Sequence, residues 1–191
     1  MKLTNRQNKL LDFVKEQHTD QVRKYTGNPY WEHCYDVGMI ANVDSEHGLN
    51  MEIGFCHDLF EDTKCTSIEL LNFLMDNGYT KSEAGIIVSG TTDLTDIYTK
   101  ENFPHLNRKS RKIYESYRLG KIPSDSQTVK YADLISNTSS IVECDPNFAE
   151  TYIREKHMIL DKMRKGQIDL LIQCCFNIKT AMDKLDININ K

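Results

Sequence analysis

The sequence contains no apolar run close to the roughly 20 residues that a membrane-spanning helix needs. Its first residues, "MKLTNRQNKLLDFV", lack the uninterrupted apolar segment of a signal peptide. The six cysteines show no Cys-x-x-Cys spacing, and the chain, with a formal net charge of -4, has no long basic run. We therefore expect a cytosolic protein with reduced and mostly buried thiols, and neither a membrane nor a nucleic acid as its partner.

Internal repeats, low-complexity tracts and linkers rich in proline and glycine are also missing from the chain. Hydrophobic residues make up 39% and charged residues 27% of the sequence, a balance that is typical of a globular protein. The 191 residues suffice for one domain with a sizeable core. We predict a single domain over residues 1–191.

Helix signals dominate the pattern, while alternating strand patterns are scarce. Three segments place Ser or Thr three residues before Glu or Gln, the spacing of a capping box: Thr4 with Gln7, Thr66 with Glu69, and Ser124 with Gln127. The best strand signal is a short hairpin that turns at Gly27-Asn28, and the longest predicted loop runs from Thr91 to His105. We predict an all-α fold, a bundle of about eight to ten helices, with that hairpin as its only possible β-structure.

The stretch "GFCHDLFEDT" concentrates four ionisable side chains. On a helix, His57 and Glu61 are four residues apart, and Asp58 lies three residues before Glu61 and four before Asp62. Three carboxylates this close repel one another and raise one another's pKa, unless a cation compensates them. A divalent ion held by His57 and Asp58 would do so, although an adjacent His-Asp pair also arises by chance and a Glu-Asp pair is usually a solvated helix face.

Two distant segments favour the metal interpretation. "TGNPYWEHC" supplies His33, and in "VKYADLISN" the carboxylate of Asp133 interrupts a run of apolar residues. A buried acid needs a partner, often a metal ion or an arginine. His33, His57, Asp58 and Asp133 form a set of nitrogen and oxygen donors without thiolate, which suits Mn, Fe, Mg, Co or Zn.

The order of these motifs, H…HD…D, resembles that of the HD superfamily of metal-dependent phosphohydrolases. "RKYTGNPYWEH", "GFCHDLFEDT" and "VKYADLISN" are similar to motifs in the hydrolase domain of the RelA/SpoT family and its small single-domain relatives that degrade ppGpp. The likeness spans roughly Leu10 to Met163. The chain departs from the pattern at Cys34, where the family usually has proline, and in an extra "IYTKENFPH" before "NRKSRK".

The resemblance implies an enzyme that uses one divalent ion, with manganese favoured. Its substrate would be a small nucleotide: it would hydrolyse the 3′-pyrophosphate of ppGpp or pppGpp, giving GDP or GTP and pyrophosphate. Glu61 and Asp62 match the family's catalytic pair, and their position one turn from the ligands suits them to orient water or accept its proton. The predicted substrate-binding residues are Arg23, Lys24, Arg108, Lys109 and Asn137.

Several alternatives remain open on the sequence alone. The same site would also suit another phosphorylated nucleotide, such as the 2′-phosphate of NADPH or a deoxynucleotide. A non-catalytic nucleotide-binding module is a third interpretation, which the intact Glu61-Asp62 pair disfavours. Half or more of the basic cluster that contains Arg108 and Lys109 would be a solvated helix face. The oligomeric state is open, and the histidines outside the motifs are interpreted as surface or structural residues: His18, His47, His105 and His157.

Overall fold

The structure, a computed structural model, describes residues 2–187, with the side chains of residues 139, 140 and 147 left out. These residues form two compact units, divided between Thr95 and Asp96. The first unit contains α1 Asn5–Gln17, α2 Tyr30–Ala41, α3 Asn50–Cys56, α4 Leu59–Asp62, α5 Ser67–Asp76 and α6 Lys81–Leu94. The second contains α7 Arg108–Leu119, α8 Ser124–Cys144, α9 Pro146–Lys162 and α10 Ile168–Lys184.

The predicted all-α fold of eight to ten helices is confirmed over residues 2–187. In place of the predicted hairpin, the structure has a single antiparallel bridge between Val22 and Pro29. No extended β-strand occurs among the described residues. Gly27 turns this segment with a φ of 74°, a conformation that favours glycine. Among the described helices, none combines the length and apolar character that a membrane span requires.

Side-chain caps fix the starts of several helices. The predicted capping boxes at Thr4 and Thr66 are both present, and Thr80 with Glu83 forms a third box that has the same spacing. The box predicted at Ser124 is wrong, because Ser124 is already the first residue of α8 and makes no cap there. Its expected partner instead bonds to the loop before the helix: the Gln127 amide donates to the carbonyls of Leu119, Gly120 and Ile122.

Two glycines let α2 and α3 cross at backbone contact in the first unit. A Cβ atom on Gly54 would lie 2.6 Å from Gly38 Cα and 2.8 Å from Gly38 N. A Cβ atom on Gly38 would meet the carbonyl oxygen of Met51 at 2.8 Å. Because real Cβ atoms do not approach that closely, a side chain at either position would push the helices apart. Their close crossing places His33 of α2 beside His57 at the end of α3, with ring centroids 5.0 Å apart.

In the second unit, two buried hydrogen bonds hold α8 against the neighbouring helices. The Tyr131 hydroxyl donates to the carbonyl of Met163 at 3.0 Å, and the Cys174 thiol donates to the carbonyl of Tyr131 at 3.1 Å. These bonds tie α8 to the end of α9 and to α10. The predicted loop Thr91–His105 begins later than expected, since α6 extends to Leu94.

We expect Gly54→Ala to destabilise the protein by about 1–3 kcal/mol, the usual cost of overpacking a core. The melting temperature should then fall by roughly 2–4 °C per kcal/mol for a chain of this size. The matched control is Gly85→Ala, because Gly85 is exposed on α6 and a Cβ atom there meets nothing within 4 Å. The control should be neutral or stabilising by about 0.4–1 kcal/mol. Equal melting temperatures for the two variants would contradict the helix contact.

Candidate metal centre

His57 and Asp58 lie at a break between two helices. The helix predicted to continue through "MEIGFCHDLFED" ends at Cys56 and resumes at Leu59. Asp58 has φ -101° and ψ 1°, outside the regular helical values, whereas His57 keeps them. Adjacent residues on a regular helix point about 100° apart. The break at the helix end therefore allows the two neighbouring side chains to converge.

Three potential ligands come together here. His33, His57 and Asp58 offer one donor atom each, all within 4.8 Å of one another. Asp58 Oδ2 lies 2.8 Å from His57 Nε2 and 3.8 Å from His33 Nε2. Both histidines are buried and Asp58 is partly exposed. The first unit thus holds a group of two nitrogens and one carboxylate that could bind a metal ion, with an opening on the carboxylate side.

The hydrogen bonds of His57 favour a cation between these donors. Its Nδ1 donates to the carbonyl of Gly54 at 2.8 Å, so Nδ1 carries a proton and a neutral ring keeps its lone pair on Nε2. Another acceptor, Asp58 Oδ2, lies 2.8 Å from that nitrogen. Two acceptors at 2.8 Å attract each other only through a shared cation, either a proton or a metal ion. A histidine that donates its other ring nitrogen to a carbonyl is also the usual arrangement of a metal ligand. The residues present therefore fit a divalent ion.

Tyr30 holds the carboxylate of this group, a role that the sequence analysis did not foresee. Its hydroxyl donates to Asp58 Oδ2 at 2.8 Å, and its ring packs edge-on against His33 at 5.7 Å. Burial, followed by the charges of Asp58 and Asp62, raises the pKa of Tyr30, so the hydroxyl remains a donor. The signal in the sequence was its position three residues before His33, which places both on one face of α2.

Behind Tyr30 lies a layer of polar side chains centred on His18. This histidine is buried, stacks on the Tyr30 ring at 5.0 Å, and donates from Nδ1 to Gln21 Oε1 at 2.8 Å. Gln21 in turn donates to the backbone carbonyl of Asp62 at 2.7 Å. Cys34 stands where the resembled family usually has proline, and its Sγ lies 3.8 Å from His18 Nε2. We predicted surface or structural roles for the four histidines outside the motifs. His18 is buried and structural, whereas His47, His105 and His157 are exposed.

The two predicted catalytic acids follow the ligands on the short helix α4. Both Glu61 and Asp62 are exposed as residues. Partial burial of the Asp62 carboxyl group, together with the neighbouring Asp58 charge, nevertheless raises its pKa above the usual value, against an opposing hydrogen bond from Tyr30. A carboxylate with a raised pKa is a better proton acceptor near neutral pH. The surroundings of Asp62 thus suit it to accept a proton, and the catalytic roles of Glu61 and Asp62 stay predictions.

The other predicted first-unit residues, Arg23 and Lys24, lie in the turn before α2. The Arg23 backbone exchanges hydrogen bonds across this turn, donating to the Asn28 carbonyl at 2.8 Å and accepting from Gly27 at 2.9 Å. The Lys24 ammonium donates to the Tyr25 hydroxyl at 3.1 Å. Their role in substrate binding stays a prediction.

In the second unit, the basic run that begins at Arg108 makes several contacts within the protein itself. Arg108 donates to both carboxylate oxygens of Glu155, at 2.7 and 2.9 Å, and lies over the Phe148 ring. Lys109 is exposed on α7. Arg111 donates to the carbonyl of Leu106 at 2.5 Å. The predicted substrate role of Arg108 would require it to leave Glu155 or to act through the pair, so for Arg108 and Lys109 that role stays a prediction.

Asp133, the predicted fourth ligand, is buried on α8 in the second unit. Its Oδ2 lies 2.8 Å from Lys130 Nζ, and its Oδ1 accepts a hydrogen bond from the Asn137 amide at 2.5 Å. The expectation that a buried acid at this position has a partner is confirmed, although the partner seen is a lysine. The Asn137 amide orients Asp133, and the roles predicted for the two residues toward metal and substrate stay predictions.

Comparison with known proteins supports the fold more strongly than the family. No protein-family model matches the chain. A solved structure described as "A metazoan ortholog of SpoT hydrolyzes ppGpp and plays a role in starvation responses" superposes with a TM-score of 0.74. The two proteins are 17% identical, and the alignment covers 94% of this chain and 97% of the other. The chain therefore has the fold of a SpoT-like hydrolase.

We expect the protein to bind about one divalent ion per chain, with Mn²⁺ as the probe in calorimetric titration. His57→Ala should abolish this binding, because it removes the central nitrogen donor. Tyr30→Phe should weaken it roughly 10- to 100-fold, the usual effect of losing a group that holds a ligand in place.

The matched control is Tyr35→Phe, the same substitution five residues further along α2, where the ring stacks on Phe55 at 6.1 Å. The control should bind the ion like the unmodified protein. Stoichiometric Mn²⁺ in His57→Ala would show that the ligands are wrong, and equal affinities for the two tyrosine variants would show that Tyr30 does not hold Asp58 for the metal.

Proposed function

We propose that the protein is a manganese-dependent hydrolase that removes the 3′-pyrophosphate of ppGpp and pppGpp, giving GDP or GTP and pyrophosphate. The observation that carries the proposal is the convergence of His33, His57 and Asp58, with His57 Nε2 2.8 Å from Asp58 Oδ2. The fold supports it further, because the same fold occurs in a protein described as hydrolysing ppGpp.

Each group near the ligands has a task in this reaction. A bound divalent ion would neutralise charge on phosphate oxygens and make a water molecule more acidic. Asp62, with its raised pKa, accepts a proton from the attacking water, and Glu61 orients that water. Tyr30 keeps Asp58 in place throughout, and Gln21 fixes the backbone of Asp62. In this proposal the chain acts as one catalytic domain over residues 1–191.

A nucleotide panel tests the substrate. The purified protein is incubated with ppGpp, pppGpp, NADPH and deoxynucleoside triphosphates, with and without Mn²⁺, and the products are separated by anion exchange. We expect GDP and pyrophosphate from ppGpp only when Mn²⁺ is present. Turnover of NADPH or a deoxynucleotide with ppGpp untouched would replace the proposed substrate, while the absence of any turnover would leave a binding module.

The assignment of the proton acceptor has its own test. Asp62→Asn and Glu61→Gln remove charge but keep shape, so both should retain the metal ion. Turnover should fall by roughly 10²–10⁴ in Asp62→Asn, the contribution of a positioned acid-base group. The control is Asp76→Asn, an exposed acid at the end of α5, which should behave like the unmodified protein. Near-full turnover by Asp62→Asn, with a large loss in Glu61→Gln, would transfer the role to Glu61.

A further inference from the structure

Three large apolar side chains lie exposed along one side of α10. Ile168, Ile172 and Phe176 are 59%, 59% and 68% exposed, and their spacing of four residues makes them neighbours on the helix surface. The opposite side of the helix is buried in the second unit, where Leu170 and Ile178 belong to the core. Contiguous apolar side chains on a surface mark an interaction site, whereas single ones do not. The three exposed residues are called the α10 ridge below.

A groove of about 620 Å³ lies beside the second half of the same helix. It runs between α9 and α10, and its buried lining is apolar: Leu160 comes from α9, and Ile178 and Met182 come from α10. Lys179 and Asp183 line it as well and are exposed. A hollow of this size is large enough for a drug-sized molecule, and thus for several side chains. The helix therefore carries a projecting apolar surface in its first half and an apolar hollow beside its second half.

These two surfaces complement each other when two copies of α10 lie antiparallel. A two-fold axis then sets the first half of each helix against the second half of the other, so that ridge and groove meet twice. Ile168 stands on the groove side of the helix, because Cys175 and Lys179, seven and eleven residues further on, share that side and line the groove. The two-fold rotation keeps that side common to both helices. Ile168 of each copy is therefore directed to the groove of the other.

Charges toward the two ends of α10 select one register. Asp169 and Lys179 are exposed, and neither has an ion-pair partner within the part of the chain that the structure describes. When Ile172 of one copy lies opposite Phe176 of the other, Asp169 lies opposite Lys179, since both pairs have the same midpoint on the helix. Opposite charges then meet on both sides of the apolar contact, which fixes the register. A slide of about one turn would instead bring Asp169 opposite Asp183.

We propose that two copies of this chain associate through antiparallel pairing of α10, with the ridge of each copy in the groove of the other. A second copy covers the ridge, fills the groove and pairs both charges at once, whereas a small molecule in the groove would leave the ridge exposed. One helix face and one groove are expected to bury less than the roughly 800 Å² per partner of a standard interface, so the dissociation constant should lie in the micromolar range. The pairing is independent of the proposed function and of the candidate metal centre.

Sedimentation equilibrium of the full chain tests the pairing, in reducing buffer because Cys144 and Cys175 are exposed. The mass should rise from that of the 22.2 kDa monomer toward twice that value as the concentration increases from about 1 to 500 µM. Ile172→Glu places an unpaired charge in the contact and should weaken the dimer about tenfold or more. The matched control is Ile68→Glu, because Ile68 is 68% exposed on α5 in the first unit. The control should dimerise like the unmodified protein.

Charge reversal tests the orientation of the two helices. Asp169→Lys and Lys179→Asp each set like charges opposite each other at two symmetric contacts, so each should weaken the dimer roughly three- to tenfold. The double variant exchanges the two charges and should restore the affinity to within about twofold. All the substituted positions are exposed. At about 1 µM, where the chain is largely monomeric, every variant should therefore melt within a few degrees of the unmodified protein.

A monomer at every concentration would overturn the proposal. Association that Ile172→Glu leaves unchanged would overturn it as well, because the contact would then lie elsewhere on the chain. Single charge reversals that weaken the dimer without rescue by the double variant would contradict the antiparallel register.

Discussion

The closeness of α2 and α3 is the constraint on which the candidate site depends. Gly54 rests on the backbone of Gly38, and this contact allows two helices to approach where side chains would hold them apart. One residue beyond the end of α3, His57 meets His33, which α2 carries. The carbonyl of Gly54 also accepts the Nδ1 proton of His57 and so sets the tautomer of that ring. One glycine thus serves both the packing of the helices and the chemistry of the ligand.

The first unit concentrates acceptors in a small region, where His57 Nε2, Asp58 and the partly buried Asp62 carboxyl group lie near one another with the Tyr30 hydroxyl as a donor. Such a region attracts a cation. In the second unit, by contrast, Lys112 and Lys130 each pair with one carboxylate, Asp96 and Asp133, at 2.8 Å.

Local patterns predicted much of this molecule. Helix content and two capping boxes follow from spacing within short segments, and the grouping of His33, His57 and Asp58 follows from the order of the resembled motifs. What failed depended on distant contacts. Gln127 bonds to the carbonyls before α8 and not to a cap, and the contact of Tyr30 with Asp58 joins residues 28 positions apart.

The most direct test is anomalous diffraction from crystals of the protein grown with Mn²⁺, recorded at the manganese absorption edge. A metal centre built on the α2–α3 crossing predicts one strong peak within bonding distance of His33 Nε2, His57 Nε2 and a carboxylate oxygen of Asp58. The same map would show whether Asp133 contributes a fourth ligand. A manganese peak that avoids His57, or crystals without any ordered manganese, would contradict the account.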